Sequence, residues 1–560
     1  MSETPETRGS TNRRSHVPPT FSVPETAGRR RRLKVLHPDD PWSSTIFVAD
    51  RLILGAPAVR RSERVPQPDE LKRLQDELGV TLTETPLGRR RRGETGAERR
   101  GTEAAESSEA DPDDTAERGA GRAQHLVRIG RGTGGSGHAD AWDVLQRARE
   151  DGLEIADRLQ LDHVLMAASP IQGVGYVSGV GYVSGVGYVS GVGYVSGVGY
   201  VSGVGGSAPG APAGRIPVFW PGHEHLPEHR GKASGPTVAI LDTGLGKHPW
   251  FVREEPDPTD PTKVVEVLLN ATRAEHLTPP IGVSYQPGED PERDGITLDP
   301  VNRGLDPMAG HGTFIAGIVR AACPSAHILS VPVMYGDGSA DESVLIAALS
   351  DLLERHRGGL RALEEDREPD PASEQVIDIV NLSLGYYHED PDTVTNEAGL
   401  MAAIAELAAS GVTVVASAGN GGSDVEFWPA AAGDDPNGAP VVSVGAANPG
   451  HPTVSHFSNT GDWVRTYRPG VGVVSTMPTT FNGSLRATQE ADGAAYPDRG
   501  TTDLDDFSGG FGLWNGTSFS APMFAGELAR GLAMGTPSVR AEDRCATARR
   551  LVDDLCKDRR

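Results

Sequence analysis

Cysteine is scarce: three residues, Cys323, Cys545 and Cys556, in a chain of 560. That excludes a disulfide-stapled scaffold, and the spacing matches no zinc motif. Cys545 and Cys556 fall on one predicted helix, roughly 16 Å apart along its axis, beyond the about 7 Å that a disulfide spans. Such cysteine usage suits a reducing compartment. Long apolar runs are also missing. No stretch reaches about 18 residues, so neither a transmembrane helix nor a membrane partner is expected. Met1 to His16 is polar and lacks the apolar core of a signal peptide, which makes a cytoplasmic location the expectation. Positive charge is short in the second part of the chain. From Ser207 on, 49 acidic residues outnumber 26 basic ones and supply nearly all of the net charge of −24. A surface so acidic is unsuited to nucleic acid and favours solubility.

What is present divides the chain. Residues 1–40 are polar and Pro-rich with Arg29 to Arg32 in a row, and read as a disordered basic arm. Residues 41–170 read as a small α+β domain. Strands are expected at Thr45–Leu54, Val80–Thr83, His125–Ile129 and Leu161–Ala168, with helices at Pro68–Leu78 and Asp140–Glu150. Residues 89–122 interrupt it with Arg, Glu, Ser, Asp and Gly and form no plausible core. The order β-α-β, loop, β-α-β is the ferredoxin-like arrangement.

Residues 171–235 form a linker. Its first part, 173–202, is five tandem copies of Gly-Val-Gly-Tyr-Val-Ser, and its second is rich in Pro and His. His223, His225 and His229 lie there without a carboxylate or cysteine set around them, and read as an exposed loop. From residue 236 to 535 strands and helices alternate. Strands are expected at Thr237–Leu241, Val264–Leu269, Ile328–Val333, Val376–Leu384, Val412–Ala416 and Val441–Val444. Helices are expected at His311–Ala322, Ser343–Arg355, Glu397–Ala409 and Met523–Met534. This is the pattern of an α/β fold with a parallel central sheet and helices on both faces. Residues 536–560 read as a C-terminal helix.

Chemistry concentrates in that α/β region. Asp242 closes the first strand, His311 opens a helix after Gly310, and Ser518 lies in Asn515-Gly516-Thr517-Ser518-Phe519-Ser520-Ala521-Pro522 before another helix. A serine hydroxyl is a weak nucleophile. It needs an imidazole to take its proton and a carboxylate to hold the imidazole's tautomer. Asp, His, Ser is one of the chain orders in which that set occurs. Asn420 follows an apolar strand in Ser417-Ala418-Gly419-Asn420 and offers a side-chain donor to an oxyanion.

These motifs together make residues 236–535 resemble the catalytic domain of a subtilisin-like serine protease (subtilase). The matching stretches are Asp242-Thr243-Gly244, Gly310-His311-Gly312-Thr313, Ser417 to Asn420 and Gly516 to Pro522. Asn381-Leu382-Ser383-Leu384-Gly385, Phe457-Ser458-Asn459 and Pro469-Gly470-Val471 also match family positions. The resemblance implies an endopeptidase in which Asp242 orients His311, His311 is the general base and Ser518 the nucleophile. Asn420 and the backbone N–H of Ser518 would form the oxyanion hole. Ser383, Leu384 and Gly385, with Ser417, Ala418 and Gly419, would line the substrate cleft. Proteins or peptides are the implied substrates, and no organic cofactor is required. The N-terminal domain resembles the family's propeptide, with Leu161 to Ser169 as a tail occupying the cleft in cis. Two polar insertions, Gly282–Pro307 and Pro478–Gly510, depart from a minimal subtilase. They would restrict access or bind a cation, with Asp503, Asp505 and Asp506 as oxygen ligands for calcium. Two other readings compete with catalysis: a catalytically silent peptide-binding domain, and a protein that interacts through its repeat.

Overall fold

The computed structural model describes residues 31–36, 45–55, 67–87, 124–132, 139–167, 216–217, 235–298, 305–391, 394, 399–450, 453–483, 490–491, 499–500, 505–535 and 538–557. The hexapeptide repeat, the insertion 89–122 and nearly all of the basic arm lie outside them.

The N-terminal domain is built from β1 (Leu33–Leu36), β2 (Thr45–Leu54), α1 (Gln67–Leu78), β3 (Val80–Pro86), β4 (His125–Arg131), α2 (Ala141–Glu150) and β5 (Leu159–Ala167). The sheet runs β5-β2-β4-β3, all antiparallel, with β1 added beside β2. That order is the ferredoxin-like one expected from the sequence, and β1 is an addition to it. Leu71 and Leu74 of α1 and Val144, Leu145 and Ala148 of α2 share one core with Phe47, Leu52, Leu54 and Val127 of the sheet. Helix α2 starts where Asp140 accepts the N–H groups of Trp142 (2.9 Å) and Asp143 (3.1 Å), while Asp143 accepts that of Asp140. This capping box satisfies donors that a helix start leaves open.

In the second domain, which the two-residue strand β6 (Ile216–Pro217) precedes, β7 (Thr237–Asp242), β10 (Ala271–Arg273), β11 (His327–Pro332), β13 (Ile379–Leu382), β15 (Thr413–Ser417), β16 (Val441–Ala447) and β17 (Thr466–Pro469) form a seven-stranded sheet. All its pairs are parallel, in the order β10-β11-β7-β13-β15-β16-β17. The strands are apolar on both faces because helices cover both. These are α3 (His311–Ala322), α4 (Glu342–Glu364), α5 (Gly399–Ala409) and α6 (Thr517–Ala533). Helix α3 packs on α6, and α4 on α5. Helix α7 (Ala541–Lys557) follows, and its Cys545 and Cys556 are both free thiols.

Val264 to Leu269 does not join this sheet. It is the second arm of an antiparallel hairpin, β8 (Val252–Asp257) with β9 (Asp260–Leu268), and Val264 and Val265 are exposed. The β-branched run marked a strand, but run length alone carries no information about its partner. No helix among the described residues is long and apolar enough to cross a membrane.

The two domains meet through strand pairing. The C-terminal half of β5 runs antiparallel to β12 (Ser339–Asp341) on one edge and β14 (Leu384–Gly385) on the other. Met166 is opposite Ser339 and Gly385, and Ala167 is opposite Leu384. Side chains of a strand alternate between faces. Leu165 and Ala167, one on the same face as the other, belong to the hydrophobic core of the α/β domain, not to that of their own domain. Polar contacts frame the junction. Asp162 accepts the N–H and Oγ of Ser343, both at 2.9 Å, near the start of α4, as the helix dipole favours. Arg51 pairs with Asp341 at 2.9 Å, and Arg31 with the same carboxylate.

Candidate active site

Strand β7 is flanked by β11, which leads to one end of the sheet, and by β13, which leads to the other. The loops that leave the strands there diverge and open a crevice at the C-terminal end of β7. Asp242 is the last residue of that strand. Its Oδ1 lies 2.7 Å from Nδ1 of His311, the first residue of α3, and accepts the N–H of Thr243 at 2.8 Å. Both side chains are fully buried. Two glycines make this approach feasible. Gly310 has φ +79°, a region that penalises a Cβ. At Gly312 a Cβ would come 2.3 Å from the carbonyl oxygen of Gly244, so the two motifs pack backbone against backbone.

Helix α6 begins at Thr517, so Ser518 sits in its first turn, earlier than the expected start at Met523. The propensity signal started late because Pro522 and the glycine, threonine and serines before it are poor helix formers. Pro522 has no N–H to give the carbonyl of Ser518 four residues earlier. The hydroxyl of Ser383 donates to that carbonyl instead, at 2.9 Å, and is itself reached by Nδ2 of Asn381 at 3.0 Å. Ser518 Oγ lies 3.4 Å from the carbonyl oxygen of Ser383. The imidazole of His311 packs against the rings of Trp514 and Phe519, centroids 5.5 and 5.4 Å away, which touch each other at 5.3 Å, so it faces the segment that carries Ser518.

Asn420 is held by the same loop. Its Oδ1 accepts the N–H (3.0 Å) and the hydroxyl (2.9 Å) of Thr517. With the carbonyl end accepting from Thr517, the other end of the amide, its NH₂, is the donor end. Ser417 ends β15. Ala418 donates its N–H to Val444 at 3.0 Å, and Gly419 donates its own to Thr517 Oγ1 at 3.2 Å. Asn459 ties this segment down. Its Nδ2 donates to the carbonyl of Ala418 at 2.8 Å, and its Oδ1 accepts the N–H of Gly421 at 2.9 Å. Gly470 plays the matching part on the other side, accepting the N–H of Gly516 at 2.8 Å. Ser383, Leu384 and Gly385 lie along β5, which Leu384 and Gly385 pair with directly.

Glu292 was not anticipated from the sequence. It comes from the insertion Gly282–Pro307, whose described part is packed into the site and leaves Glu292, Leu305 and Asp306 buried. Its carboxylate accepts the hydroxyls of Thr243 and Thr313, both at 2.5 Å, and the N–H of Gly312 at 3.0 Å. It thus caps α3 and braces the residues next to Asp242 and His311. Tyr285 of the same insertion donates to Met334 at 2.5 Å and lies 3.1 Å from the carbonyl oxygen of Thr243. Glu292 is one of two glutamates in this polar stretch, and nothing in the local pattern shows which of them folds back. In the second insertion, Asp506 accepts the N–H of Ser508 at 2.9 Å and belongs to a short ladder with Asn482–Gly483. Asp503 lies outside the described residues.

Burial pushes the Glu292 carboxyl up to about 8, with Asp290 and Asp242 adding to the rise and the threonine hydroxyls opposing it. A carboxyl that keeps its proton longer when folded makes the folded state lose stability as pH rises from the unfolded value of 4.5 to about 8. In a Ser518→Ala background, which prevents self-digestion, Tm is expected to fall across that window. Glu292→Gln, which cannot ionise, is expected to flatten the fall. Equal slopes in the two proteins would remove this role for Glu292.

Residues 233–552 match the family model described as the Subtilase family. The chain belongs to the subtilase family. Among curated relatives, Subtilisin BL of Lederbergia lenta is 28% identical over 275 residues, covering 47% of this chain and 75% of that protein. The thermophilic serine proteinase of Bacillus sp. (strain AK1) is 31% identical over 211 residues, covering 35% of this chain and 43% of that one. Among solved structures, fervidolysin from Fervidobacterium pennivorans, a keratinolytic enzyme related to subtilisin, aligns with a TM-score of 0.41 at 13% identity. That alignment covers 87% of this chain and 55% of the other. As a subtilase the protein is a serine-type endopeptidase.

Proposed function

We propose that this subtilase cleaves peptide bonds through an acyl-enzyme on Ser518, with His311 as base and acid and Asp242 fixing the imidazole. The observation that carries the reading is the 2.7 Å contact between Asp242 Oδ1 and His311 Nδ1. It leaves Nε2 as the nitrogen that takes the serine proton. The proton then passes from His311 to the leaving amine, and a water deprotonated by the same nitrogen releases the acyl group. The negative oxygen of each tetrahedral intermediate would be met by the Asn420 side chain and the Ser518 N–H, which the start of α6 points outward. Ser383 to Gly385 would hold the substrate backbone as an added strand.

A fluorophosphonate probe tests this reading. The expected result is one covalent adduct, on Ser518, with casein hydrolysis lost in step with labelling. An adduct elsewhere, or hydrolysis that survives complete labelling, would overturn it.

The N-terminal domain acts in this reading as an inhibitor in cis. Strand β5 occupies the edges that β12 and β14 would offer to a substrate, and two chains cannot pair with the same edge. The linker limits how far a released domain diffuses, since effective concentration falls only slowly with tether length.

A further inference from the structure

Where β5 enters the cleft edge, three metal-ligating side chains from both domains converge. His163 comes from β5, and His388 and Glu389 follow β14. His163 Nε2 lies 3.0 Å from Glu389 Oε2, and His388 Nδ1 lies 3.7 Å from the same oxygen. One ligand atom from each residue falls within 4.8 Å of the other two. A tetrahedral zinc with bonds of 2.0–2.2 Å places its ligand atoms about 3.4 Å apart, inside that range.

The surroundings are also those of a ligand set. Glu342 Oε2 lies 2.5 Å from His163 Nδ1, on the far side of the ring. A carboxylate there accepts the Nδ1–H and holds the proton on that nitrogen, so a metal arriving between Glu389 and His388 displaces only the Nε2 proton and takes the lone pair it leaves. Glu342 is fixed in turn, since its Oε1 accepts the N–H of Leu400 and Nε2 of Gln160, both at 3.1 Å. The backbone N–H of Asp390 donates to His388 Nδ1 at 3.0 Å, so that nitrogen carries a lone pair, which a metal would take in exchange. The His163 ring is stacked on Tyr386 at 4.5 Å, which limits its rotation. The side chains of His163 and Glu389 are 1% and 5% exposed, whereas that of His388 is 12% exposed and marks the route in from solvent.

We propose that His163, His388 and Glu389 form a site for a divalent transition metal of the zinc class, completed only when the N-terminal domain is docked. Two imidazoles and one carboxylate suit zinc and its neighbours, and are poor partners for calcium, which takes oxygen ligands. An ion that binds only the docked arrangement holds β5 in the cleft. At a free concentration 100 times its Kd, it raises the docking equilibrium about 100-fold. The effect on activity rests on the reading of the N-terminal domain as an inhibitor, whereas the site itself does not.

The test uses the full-length Ser518→Ala chain titrated with Zn²⁺ alone by calorimetry, with Co²⁺ absorption as a second readout. One high-affinity zinc per chain is expected, and a tetrahedral cobalt spectrum. His388→Ala should abolish both. His163→Lys keeps a cation between the two glutamates, so it preserves an ion pair while removing the ligand, and it should lose the metal too. Glu342→Gln should weaken binding about 10–100-fold. Leu165→Asp, which opens the docked state, should weaken it in proportion to the docked fraction lost. No zinc bound at micromolar concentration, or binding unchanged in both histidine variants, would overturn the site. In the wild-type chain, micromolar zinc should slow peptide hydrolysis, and His388→Ala should not respond. Metal binding with no effect of zinc on rate would leave the site standing and refute the inhibitory reading.

Discussion

Replacing Ser518 by alanine is expected to lower kcat for peptide hydrolysis by about 10⁶-fold, the size of the loss when the nucleophile of a subtilisin is removed. The fold should survive, because the Ser518 side chain contributes little to packing. What holds this turn are the Ser518 carbonyl, bonded by Ser383, and the backbone and hydroxyl of Thr517, bonded by Asn420. The remaining rate should still exceed the uncatalysed one by about 10³–10⁴, since the oxyanion donors and the substrate edge persist. The check is kcat on a chromogenic peptide beside a melting curve. A variant that melts like wild type and retains its rate would end the assignment of Ser518.

Replacing Leu165 by aspartate is expected to release β5 from the edges of β12 and β14 and give activity from the start of the assay. Leu165 is fully buried, and what buries it is the core of the α/β domain. The N-terminal domain keeps its own core, built around Phe47, Leu52, Leu74 and Leu145, so its fold should tolerate the change. Truncating a buried leucine to alanine costs about 2–5 kcal/mol, and a carboxylate in that place costs more. The docked state is therefore expected to weaken by about 10³-fold. Freshly purified full-length chain carrying Leu165→Asp should hydrolyse a short peptide from the first seconds, while wild type shows a lag or a low initial rate. Identical progress curves would show that β5 does not control access.

Some of this was legible in the sequence for a clear reason. Reactive groups in a parallel α/β fold sit where strands end and helices begin, and those places carry local marks. Asp242 ends an apolar run, His311 stands between glycines, and Ser518 lies in a run of small residues. The helix at 311–322 and the one expected at 397–409 and described from Gly399 were readable in the sequence, as was the ferredoxin-like order from the alternation of elements. The start of α6 was less legible, because its first turn is held by tertiary hydrogen bonds to Ser383 and Asn420 that propensity does not see. The hairpin of β8 and β9 was misplaced for a related reason. A strand-forming run is recognisable, but its partner is not.

The sequence by itself determined the family motifs, their order along the chain and most of the helices and strands that present them, because each is written in a short pattern of neighbours. Only the tertiary structure decided that Glu292 braces the residues beside Asp242 and His311. It alone brought β5 between β12 and β14 and set His163 against Glu342, Glu389 and His388. These partners are 20 to more than 200 residues apart in the chain. Their meeting follows from how sheet edges and buried charges are satisfied in three dimensions, and such pairings leave no periodic trace along one strand of sequence.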